Sequence, residues 1–465
     1  MTCSLLSERV PAVLAAHAKA AGLAVWLVGG TVRDRLLHRP SSDVDAVLGS
    51  SDQRQVRAVT AAVARELGRP WLTLSREFGG ERIVWEGGHL DVSPLRRGSI
   101  EEDLGHRDFT INAIALPLHG GVPVDPFGGL GDLEKRRLVL VNPMAFKADP
   151  VRLLRAARFS RTHALTLDPR LIEAACANAY LIREAAPERI LTEIAATLHE
   201  EGAAEAARLW RRLGILSYVL PEVAALEGVG QSTNHRHDVL GHTLEALDYV
   251  DAIVREPETR FPEAAPALRE RLSRPVDGVF SRPAALRFAV LLHDIAKPQT
   301  RHVDELGRLS FWGHEAQGVP MALSVCGRLC CSGALSGLVA KVVEGHLWLG
   351  FLQNRKPLWN RDEIDFLWKA RPWEPEVIVA SVADRLATRG PMTADRFVWR
   401  HLTLARHLMW RWREREENGV PPLPLAGDEI ARLAGVEQGP RLGRLLAALR
   451  MEWEAGELRE RGDVV

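Results

Sequence analysis

Two acidic residues, Asp43 and Asp45, stand one residue apart at the start of the apolar run 44–48, whose composition predicts a β-strand. Alternate residues of a strand face the same side, so both carboxylates are expected to project together, about 7 Å apart at the backbone. Such a pair can hold two Mg²⁺ ions, which stabilise the attacking and leaving oxygens during phosphoryl transfer. Asp91, in the apolar run 90–92, is a candidate third carboxylate.

A glycine pair, Gly29 and Gly30, follows the apolar run 23–28 and precedes a helix predicted over 32–37, which carries Arg33. Glycines at a strand-to-helix turn let backbone N–H groups approach a phosphate, and the helix N-terminus adds positive potential. Such a pair alone is more typical of an ordinary tight turn. The acidic pair that follows it favours a phosphate-binding turn.

Three arginines, Arg152, Arg155 and Arg158, recur at intervals of three and therefore lie along one face of a predicted helix. Asp149 is the predicted N-cap of this helix, and Pro150 is its predicted first residue. Cations along one face repel each other, so either water covers the face or an anion lies against it. A nucleoside triphosphate or the end of an RNA would supply that anion.

Histidines and aspartates at distant positions of the second half form another candidate cluster. His293 and Asp294 are adjacent near the end of an apolar helix predicted over 285–295, and His242 lies on a helix predicted over 238–254. Imidazole and carboxylate ligands suit a divalent metal that activates water. A single helical histidine is usually structural, but an adjacent His-Asp pair in an apolar helix is more specific. The full candidate set is His242, His293, Asp294, His314, His346 and Asp384.

The composition is that of an ordinary globular chain. Its 465 residues, of which 46% are hydrophobic, suggest about three domains and exclude a collagen, a disordered chain and a small disulfide scaffold. The equal numbers of basic and acidic residues, 60 each, argue against a general attraction to polyanions. The five cysteines are odd in number and lack metal-site spacing, which predicts reduced thiols in a cytoplasmic protein. No run of about 18 apolar residues occurs, so no membrane span is expected.

Secondary-structure signals divide the chain into four predicted segments. The first mixes strands with helices, whereas residues from 150 onward follow a helical pattern almost throughout. A Gly/Ser-containing stretch at 227–234 and a Pro-containing stretch at 418–424 subdivide the helical part. The predicted segments are an α/β head (1–147), a helical neck (148–226), a helical body (227–417) and a C-terminal tail (418–465).

The motifs of the head and neck, taken together, resemble those of the bacterial-type (class II) tRNA nucleotidyltransferases and their poly(A) polymerase relatives. The likeness rests on Gly29-Gly30…Arg33-Asp34…Asp43-x-Asp45, on residues 99–113 (SIEEDLGHRDFTINA), on residues 125–133 (DPFGGLGDL) and on residues 149–159 (DPVRLLRAARF). Two positions depart from the family pattern: His106 stands where the family has arginine, and Ala148 stands where it has glutamate.

This resemblance implies an α+β fold: a polymerase-β-like head with a mixed sheet and helices, then an all-α neck, body and tail. It implies that Asp43, Asp45 and Asp91 are catalytic, with Mg²⁺ bound by the first two. It also implies that Asp149 and Arg152 read the base edges of CTP and ATP, in place of a nucleic-acid template. The implied nucleotide-binding residues are Gly29, Gly30, Arg33, Arg107, Asp108, Asn112, Asp149, Arg152, Arg155 and Arg158.

The order of the histidines and aspartates in the body resembles the HD phosphohydrolase superfamily. The basic metal set implied by this resemblance is His242, His293, Asp294 and Asp384, with His314 and His346 as the extra histidines of fuller versions. The resemblance implies a second divalent transition metal and a hydrolase that acts on phosphoester ends such as 2′,3′-cyclic phosphates. The tail is expected to contact the body of tRNA.

The expected function is template-independent addition of nucleotides to the 3′ end of tRNA from CTP, and in full CCA addition also from ATP, with release of pyrophosphate. Only residues 95–98 lie between Pro94 and Ser99, and a shortened loop at this place is typical of family members that add only the two C residues. Both CC addition and CCA addition stay open. The alternatives are a poly(A) polymerase and an RNA phosphohydrolase with a degenerate nucleotide-binding head.

Overall fold

The computed structural model describes residues 3–74, 79–232, 234–390 and 394–464, with side chains from residue 9 onward. They form two compact units, Met1–Ala185 and Ala186–Val465. The boundary falls inside the predicted neck, and the division into four segments stays a prediction. The α+β class is confirmed, because the first unit contains a mixed sheet and the second is helical apart from one short hairpin.

The first unit is built on a six-stranded sheet in the order β3-β4-β5-β2-β1-β6. Only the central pair, β2 and β5, is parallel; the other neighbours are antiparallel. The strands of this unit are β1 (Val25–Val28), β2 (Val44–Leu48), β3 (Trp71–Thr73), β4 (Glu81–Trp85), β5 (Gly88–Pro94), β6 (Ala115–Pro117) and a separate pair, β7 (Arg137–Leu138) with β8 (Thr166–Leu167).

Helices cover both faces of this sheet. The helices of the first unit are α1 (Cys3–Ala20), α2 (Gly30–Leu36), α3 (Gln53–Leu67), α4 (Ile100–Gly105), α5 (Gly129–Glu134), α6 (Ala145–Ala148), α7 (Arg152–Thr162) and α8 (Pro169–Asn178), with 3₁₀ turns at Thr110–Asn112 and Ala179–Glu184. The larger core lies under α1 and α3, whose apolar residues meet one face of the sheet. A smaller core, which includes Ile100 and Leu104 of α4, covers the other face.

The two-residue alternation of β2 decides which face carries its acids. Val44, Ala46 and Leu48 enter the core under α1 and α3. Asp45 and Val47 therefore face the opposite side, where Val47 joins the smaller core beside α4. Burial of the apolar set thus fixes the orientation of the carboxylate, since a slip of one residue would expose three apolar side chains.

The strands predicted in this sheet are observed with at most small shifts, whereas two further strands of the same sheet, β3 and β6, were not predicted. Both are three residues long, and each lies at an edge of the sheet. Such a short strand shows little alternation, so its pairing depends on the neighbouring strand more than on its own sequence. The first turn of α4 forms half of a capping box. The Ser99 hydroxyl accepts the Glu102 N–H (3.3 Å), but the Glu102 carboxylate accepts the N–H of Gly98 (3.1 Å).

The second unit is a helical body around α15, whose residues 284–292 are all buried. It packs against α9, α13 and α18. The elements are α9 (Pro187–His199), α10 (Ala203–Arg212), α11 (Leu216–Val219), α12 (Pro221–Ala224), α13 (Val239–Arg255), α14 (Ala265–Ser273), α15 (Arg282–Leu292), α16 (Lys297–Thr300), β9 (His302–Val303), β10 (Leu309–Ser310), α17 (His314–Arg328), α18 (Gly333–Gly345), α19 (Trp348–Leu352), α20 (Asn360–Ala370), α21 (Glu374–Ala387), α22 (Asp395–Asn418), α23 (Gly427–Ala434) and α24 (Pro440–Ala455), with 3₁₀ turns at Pro257–Thr259 and Arg461–Val464.

One stretch of the described residues, Gly333–Leu352, is long and apolar enough to cross a membrane by length and composition. Half of it is buried inside the protein, as in the core helices of soluble proteins. It comprises α18 and α19, which are separated at His346.

Candidate active sites

The predicted carboxylates of the head meet where β2 and β5 run side by side. Asp45 pairs directly with Asp91 in the parallel register, and Asp43 immediately precedes β2. Burial raises the pKa of Asp45, and the negative charge of Asp91 raises it further. The backbone N–H of Asp45 donates to the Thr31 hydroxyl (2.7 Å), which ties the strand to α2. These three acids, called here the carboxylate cluster, repel each other and require cations.

Two basic residues that sequence reasoning missed lie against this cluster. Arg82 on β4 makes a forked pair with Asp91, with N···O distances of 2.6 and 2.7 Å. His89 on β5 places Nδ1 at 2.9 Å from the Asp43 carboxylate and Nε2 at 3.6 Å from that of Asp91. The signal was available for His89, because it stands two residues before Asp91 and shares its face of the strand. The position of Arg82 follows only from the β4-β5 register.

The glycine turn lets charged side chains approach its backbone closely beside the carboxylate cluster. Gly29 has φ +63° and ψ −134°, a conformation that side-chain-bearing residues rarely adopt. A Cβ on Gly29 would lie 2.9 Å from Nη1 of Arg107 and 3.6 Å from Oδ2 of Asp45. The turn therefore lets a guanidinium and a carboxylate converge on backbone that follows β1 and opens α2.

The arginine row on α7 is partly compensated by the protein itself. Arg152 donates from Nη2 to the carbonyl of His106 (2.7 Å) and from Nη1 to the carbonyl of Arg107 (3.3 Å). Burial lowers the pKa of Arg152. Arg155 contacts the Asp108 carboxylate at 3.3 Å. Groups of the protein therefore balance part of this row, in addition to the water or anion that the sequence predicted.

Arg33 links α2 to the segment 106–113 through a continuous network. It pairs with Asp34 through two N···O contacts of 2.9 and 3.0 Å, and its Nη1 donates to Asn112 (2.8 Å). Asn112 in turn donates to Asp108 (2.9 Å). The Phe159 ring lies between two guanidinium groups, 5.0 Å from that of Arg33 and 4.4 Å from that of Arg158.

The start of α7 differs from the prediction that placed its N-cap at Asp149. The helix α7 begins at Arg152 and its N-cap is Val151, two residues later than predicted. The Asp149 carboxylate instead accepts the N–H of Val151 (3.2 Å), which stabilises the turn before the helix. Asp149 thus stabilises the turn that precedes α7 and is not its N-cap.

A cavity of about 1120 Å³ brings most of the predicted head residues together. Its lining includes Gly29, Gly30, Arg33, Asp43, Asp45, Asp91, Arg107, Asp108, Asn112, Arg152, Arg155 and Arg158. Asp149 is not among the lining residues, although its neighbour Ala148 is. The carboxylate cluster and the arginines of α2 and α7 line the same cavity, a combination that suits metal-assisted binding of a polyphosphate.

The histidines and aspartates of the second unit also converge, and are called here the His/Asp cluster: His242 (α13), His293 and Asp294 (after α15), His314 (α17), His346 (after α18) and Asp384 (α21). His242 Nε2 lies 2.9 Å from Asp384, and His293 Nε2 lies 3.1 Å from Asp294. His314 Nε2 lies 3.2 Å from Asp294. Ligand atoms of His242, His293 and Asp384, and of His293, Asp294 and His346, lie within 4.8 Å of one another.

Backbone contacts fix the orientation of three imidazoles. The Nδ1 atoms of His293, His314 and His346 lie 2.7 to 2.8 Å from carbonyl oxygens three residues earlier, so each Nδ1 donates. Burial lowers the pKa of His346 to about 3, which keeps its ring neutral near pH 7. The Nε2 atoms of His314 and His346 lie 3.2 Å apart, and both face the Asp294 carboxylate. A divalent metal fits this donor set, since imidazole nitrogens and carboxylate oxygens from several helices converge within ligand distance of one another.

Two neighbours of this cluster were missed from the sequence. Lys297 Nζ lies 2.6 Å from Asp294, and it also donates to Gln231 (2.9 Å). His235 packs edge-on against His242, with ring centroids 5.0 Å apart, and burial lowers its pKa to about 3. The signal for Lys297 was its spacing, three residues after Asp294 on a helical turn. His235 carried no such signal, because it lies outside the helices.

Three protein families match successive parts of the chain. The Poly A polymerase head domain matches residues 25–139, the "Probable RNA and SrmB- binding site of polymerase A" matches 164–226, and the HD domain matches 239–389. An A-adding tRNA nucleotidyltransferase of Deinococcus radiodurans is 33% identical over 93% of this chain and 92% of its own length. The chain belongs to the tRNA nucleotidyltransferase family. It is therefore an enzyme of that family.

Other relatives of this nucleotidyltransferase differ in their named products. A CC-adding tRNA nucleotidyltransferase of Thermus thermophilus is 32% identical over 91% of this chain and 88% of its own length. Among solved structures, a CCA-adding enzyme in apo form I has a TM-score of 0.63 at 19% identity, covering 98% of this chain and 92% of its own. At that identity the structural likeness supports the fold alone.

Proposed function

We propose that this nucleotidyltransferase adds CMP units from CTP to the 3′ end of tRNA and stops after two. The observation that carries the transfer chemistry is the pairing of Asp45 with Asp91 across β2 and β5, with Asp43 beside them and arginines lining the same cavity. Support for tRNA as the substrate and for the addition of C comes from relatives named as CC-adding tRNA nucleotidyltransferases.

The carboxylate cluster would hold Mg²⁺ through Asp43 and Asp45. When bound, Mg²⁺ lowers the pKa of a ribose 3′-hydroxyl and neutralises charge on the leaving pyrophosphate. The 3′ oxygen of the tRNA attacks the α-phosphorus of CTP, the bond to the β-phosphate bridging oxygen breaks, and pyrophosphate leaves. Arg82 contacts both carboxylate oxygens of Asp91. As long as this ion pair is formed, Asp91 would contribute its negative charge to the metal site and would not bind the metal directly.

Base selection is assigned to Asp149 and Arg152. The Nη atoms of Arg152 are held by backbone carbonyls, and its buried Nε–H has no hydrogen-bond partner among the described residues. An acceptor on a base edge would satisfy that donor, while the Asp149 carboxylate accepts from an exocyclic amino group. Cytosine offers both an amino group and adjacent acceptors on its Watson–Crick edge.

The restriction to CC addition rests on the connection between β5, which ends at Pro94, and α4, which begins at Ile100. The connection has room for five residues, too few for a separate mobile loop that could reshape the base site for ATP. The Deinococcus relative is named as an A-adding enzyme, so the alternative product is the addition of a single A.

The test uses purified protein with three tRNA transcripts, which end before the CCA, after one C and after two C, and with labelled CTP or ATP. CC addition predicts CMP incorporation into the first two and no AMP incorporation into the third. AMP incorporation into the third transcript would overturn the CC restriction, and long ATP-only products would identify a poly(A) polymerase. Loss of all incorporation in Asp45→Asn is expected, and full incorporation there would overturn the assignment of the head.

A second activity is favoured by the His/Asp cluster. We infer that it hydrolyses phosphoester ends such as 2′,3′-cyclic or 2′-phosphates: the oxygen of water bonds to phosphorus, the P–O ester bond breaks and the ribose hydroxyl leaves with a proton. A divalent metal, when bound, would activate the water. Lys297 and the imidazoles hold the Asp294 carboxylate in place.

Reciprocal variants separate the two activities. His293→Ala is expected to abolish phosphoester hydrolysis in the presence of Mn²⁺ or Ni²⁺ while CMP incorporation continues, and Asp45→Asn is expected to do the reverse. Hydrolysis by His293→Ala at the wild-type rate would show that the activity resides elsewhere.

A further inference from the structure

Exposed aromatic side chains line the cleft that leads to the His/Asp cluster. This cleft, called here the HD cleft, has a volume of about 660 Å³ and is lined by Asp294, His346 and Asp384 at its metal-ligand end. Trp312 and Phe351 also line it, with 82% and 52% of their surface exposed. Neither ring stacks on another aromatic ring or cation among the described residues. Two large unpartnered rings beside a metal-binding cluster indicate a binding surface.

Arg385 lines the same cleft and has no counter-ion among the residues that the structure describes. Arg385 follows Asp384 on α21, and within the described part of the chain its guanidinium makes no hydrogen bond or ion pair. Its Nε is buried and unsatisfied. A Cβ on Gly350 would lie 3.5 Å from Nη2 of Arg385, which places the guanidinium beside the helix that carries Phe351. A partly buried cation without a partner is costly, so an anionic ligand is the natural partner.

We propose that Trp312, Phe351 and Arg385 form a subsite for the terminal nucleoside of the substrate. The two rings stack on its base and Arg385 binds a phosphate oxygen, so the phosphoester reaches the His/Asp cluster already oriented. Stacking tolerates any base, because every base has a π-face. Phe397 also lines the cleft, but the Arg396 guanidinium lies over its ring at 5.0 Å, so it is not assigned to the subsite.

This subsite rests on the proposed phosphohydrolase activity and adds that the preferred substrate carries a base. A site that recognises phosphate alone would hydrolyse any accessible phosphomonoester. A site with a stacking surface prefers substrates that carry a base. This preference appears mainly as tighter substrate binding, and therefore as a lower KM. The ligand chemistry is shared by a free nucleotide and by the 3′-terminal nucleotide of an RNA.

The test compares adenosine 2′-monophosphate with glycerol 2-phosphate, which has a phosphate but no base. For the nucleotide, Trp312→Ala is expected to raise KM about tenfold, in line with the usual loss of one base stack. For glycerol 2-phosphate the same variant is expected to leave kcat/KM unchanged, and Trp312→Phe should retain most of the nucleotide affinity. The matched control is Trp399→Ala, since Trp399 is 67% exposed and does not line the HD cleft.

A readout without catalysis accompanies the kinetics. Equilibrium dialysis of adenosine 2′-monophosphate against chelator-treated enzyme, in an Asp45→Asn background that lacks head chemistry, compares Trp312→Ala with Trp399→Ala. Weaker binding in the first variant alone supports the subsite, and equal binding in both overturns it. A short RNA ending in a 2′-phosphate forms a further arm, in which a lower KM than that of the mononucleotide identifies the RNA end as the source.

The two proposals fail in different ways. If the wild-type enzyme hydrolyses neither substrate with Mn²⁺, Ni²⁺ or Mg²⁺, the phosphohydrolase assignment is wrong, and the dialysis result decides the subsite. If it hydrolyses glycerol 2-phosphate as efficiently as the nucleotide and Trp312→Ala changes neither, the hydrolase stands and the stacking subsite is wrong. Melting temperatures equal to wild type confirm that the variants are folded.

Discussion

Replacement of Gly29 by alanine gives a sharp test of the head site, because the structure supplies both the perturbation and its control. Gly29 adopts φ +63° and ψ −134°, so alanine there has a conformational cost of about 1–3 kcal/mol. Its Cβ would also lie 2.9 Å from Nη1 of Arg107, closer than real Cβ contacts come. Arg107 must therefore move away, by about half an ångström or more, to restore van der Waals separation.

The expected consequence for catalysis follows from that displacement. Arg107 faces Asp45 across the turn and is a predicted contact of the triphosphate, and a misplacement near 1 Å can cost about 100-fold in rate. Gly29→Ala is therefore expected to lower kcat/KM for CTP by about 10- to 100-fold. The matched control is Gly22→Ala, because Gly22 has a similar φ of +68° and a Cβ there would meet no described atom within 4 Å. It should lose about 1–2 kcal/mol of stability and keep its activity.

The assay is single-turnover incorporation of labelled CMP into a tRNA transcript that ends before the CCA. Thermal unfolding of both variants separates loss of stability from loss of chemistry. Equal kcat/KM for Gly29→Ala and Gly22→Ala would show that the space beside Arg107 is not used by the nucleotide, and the phosphate-binding role of the turn would be wrong.

Three further perturbations test other parts of the molecule. Arg287→Met should lower the free energy of unfolding by about 3–5 kcal/mol in chemical denaturation, because it leaves the buried Asp251 carboxylate, 2.6 Å from Arg287, without its cation. Arg269→Met, which breaks an exposed ion pair, should lower it far less. Similar losses for the two variants would refute the importance of the buried pair. Burial lowers the pKa of His163 to about 4. Since an unfolded histidine binds a proton near pH 6.5, the unfolded state takes up protons first and stability should fall from pH 6.5 toward 4. His163→Gln should flatten that dependence, and parallel stability curves for the two proteins would contradict it. Finally, Mn²⁺ added to chelator-treated enzyme at about 100 times its dissociation constant should raise stability by about 2.7 kcal/mol, and an unchanged melting temperature with Mn²⁺, Ni²⁺ and Mg²⁺ would argue against a metal at the His/Asp cluster.

Much of the head could be predicted because its residues are close in sequence and lie on regular elements. Asp43 and Asp45 needed only the two-residue period of a strand to be placed on one side, and β2 has the predicted bounds. Arg82 could not be placed in the same way, since its contact with Asp91 depends on how β4 registers with β5. The N-cap of α7 was placed two residues early, because Asp149 stabilises a turn before the helix in the same way that a cap stabilises a helix.

The body was harder to predict because its candidate metal ligands come from helices far apart in the chain. His293 and Asp294 were recognisable as an adjacent pair, but their meeting with His242 and Asp384 depends on the packing of α13, α15 and α21. The sequence could not distinguish the exposed Trp312 from a core tryptophan, because the residue type is the same and only packing decides whether the ring is buried.

The amino-acid sequence by itself determined which groups are available for chemistry: paired carboxylates suited to metal-assisted transfer, an arginine row suited to phosphates, and imidazoles and carboxylates suited to a second metal. It could do so because strand and helix periods fix which neighbouring residues share a face. Tertiary structure alone decided which distant groups compensate one another, such as Arg155 with Asp108, and which stay unpaired among the described residues, such as Arg385. Charge compensation acts over a few ångströms, and only packing brings residues that are far apart in the chain to that distance.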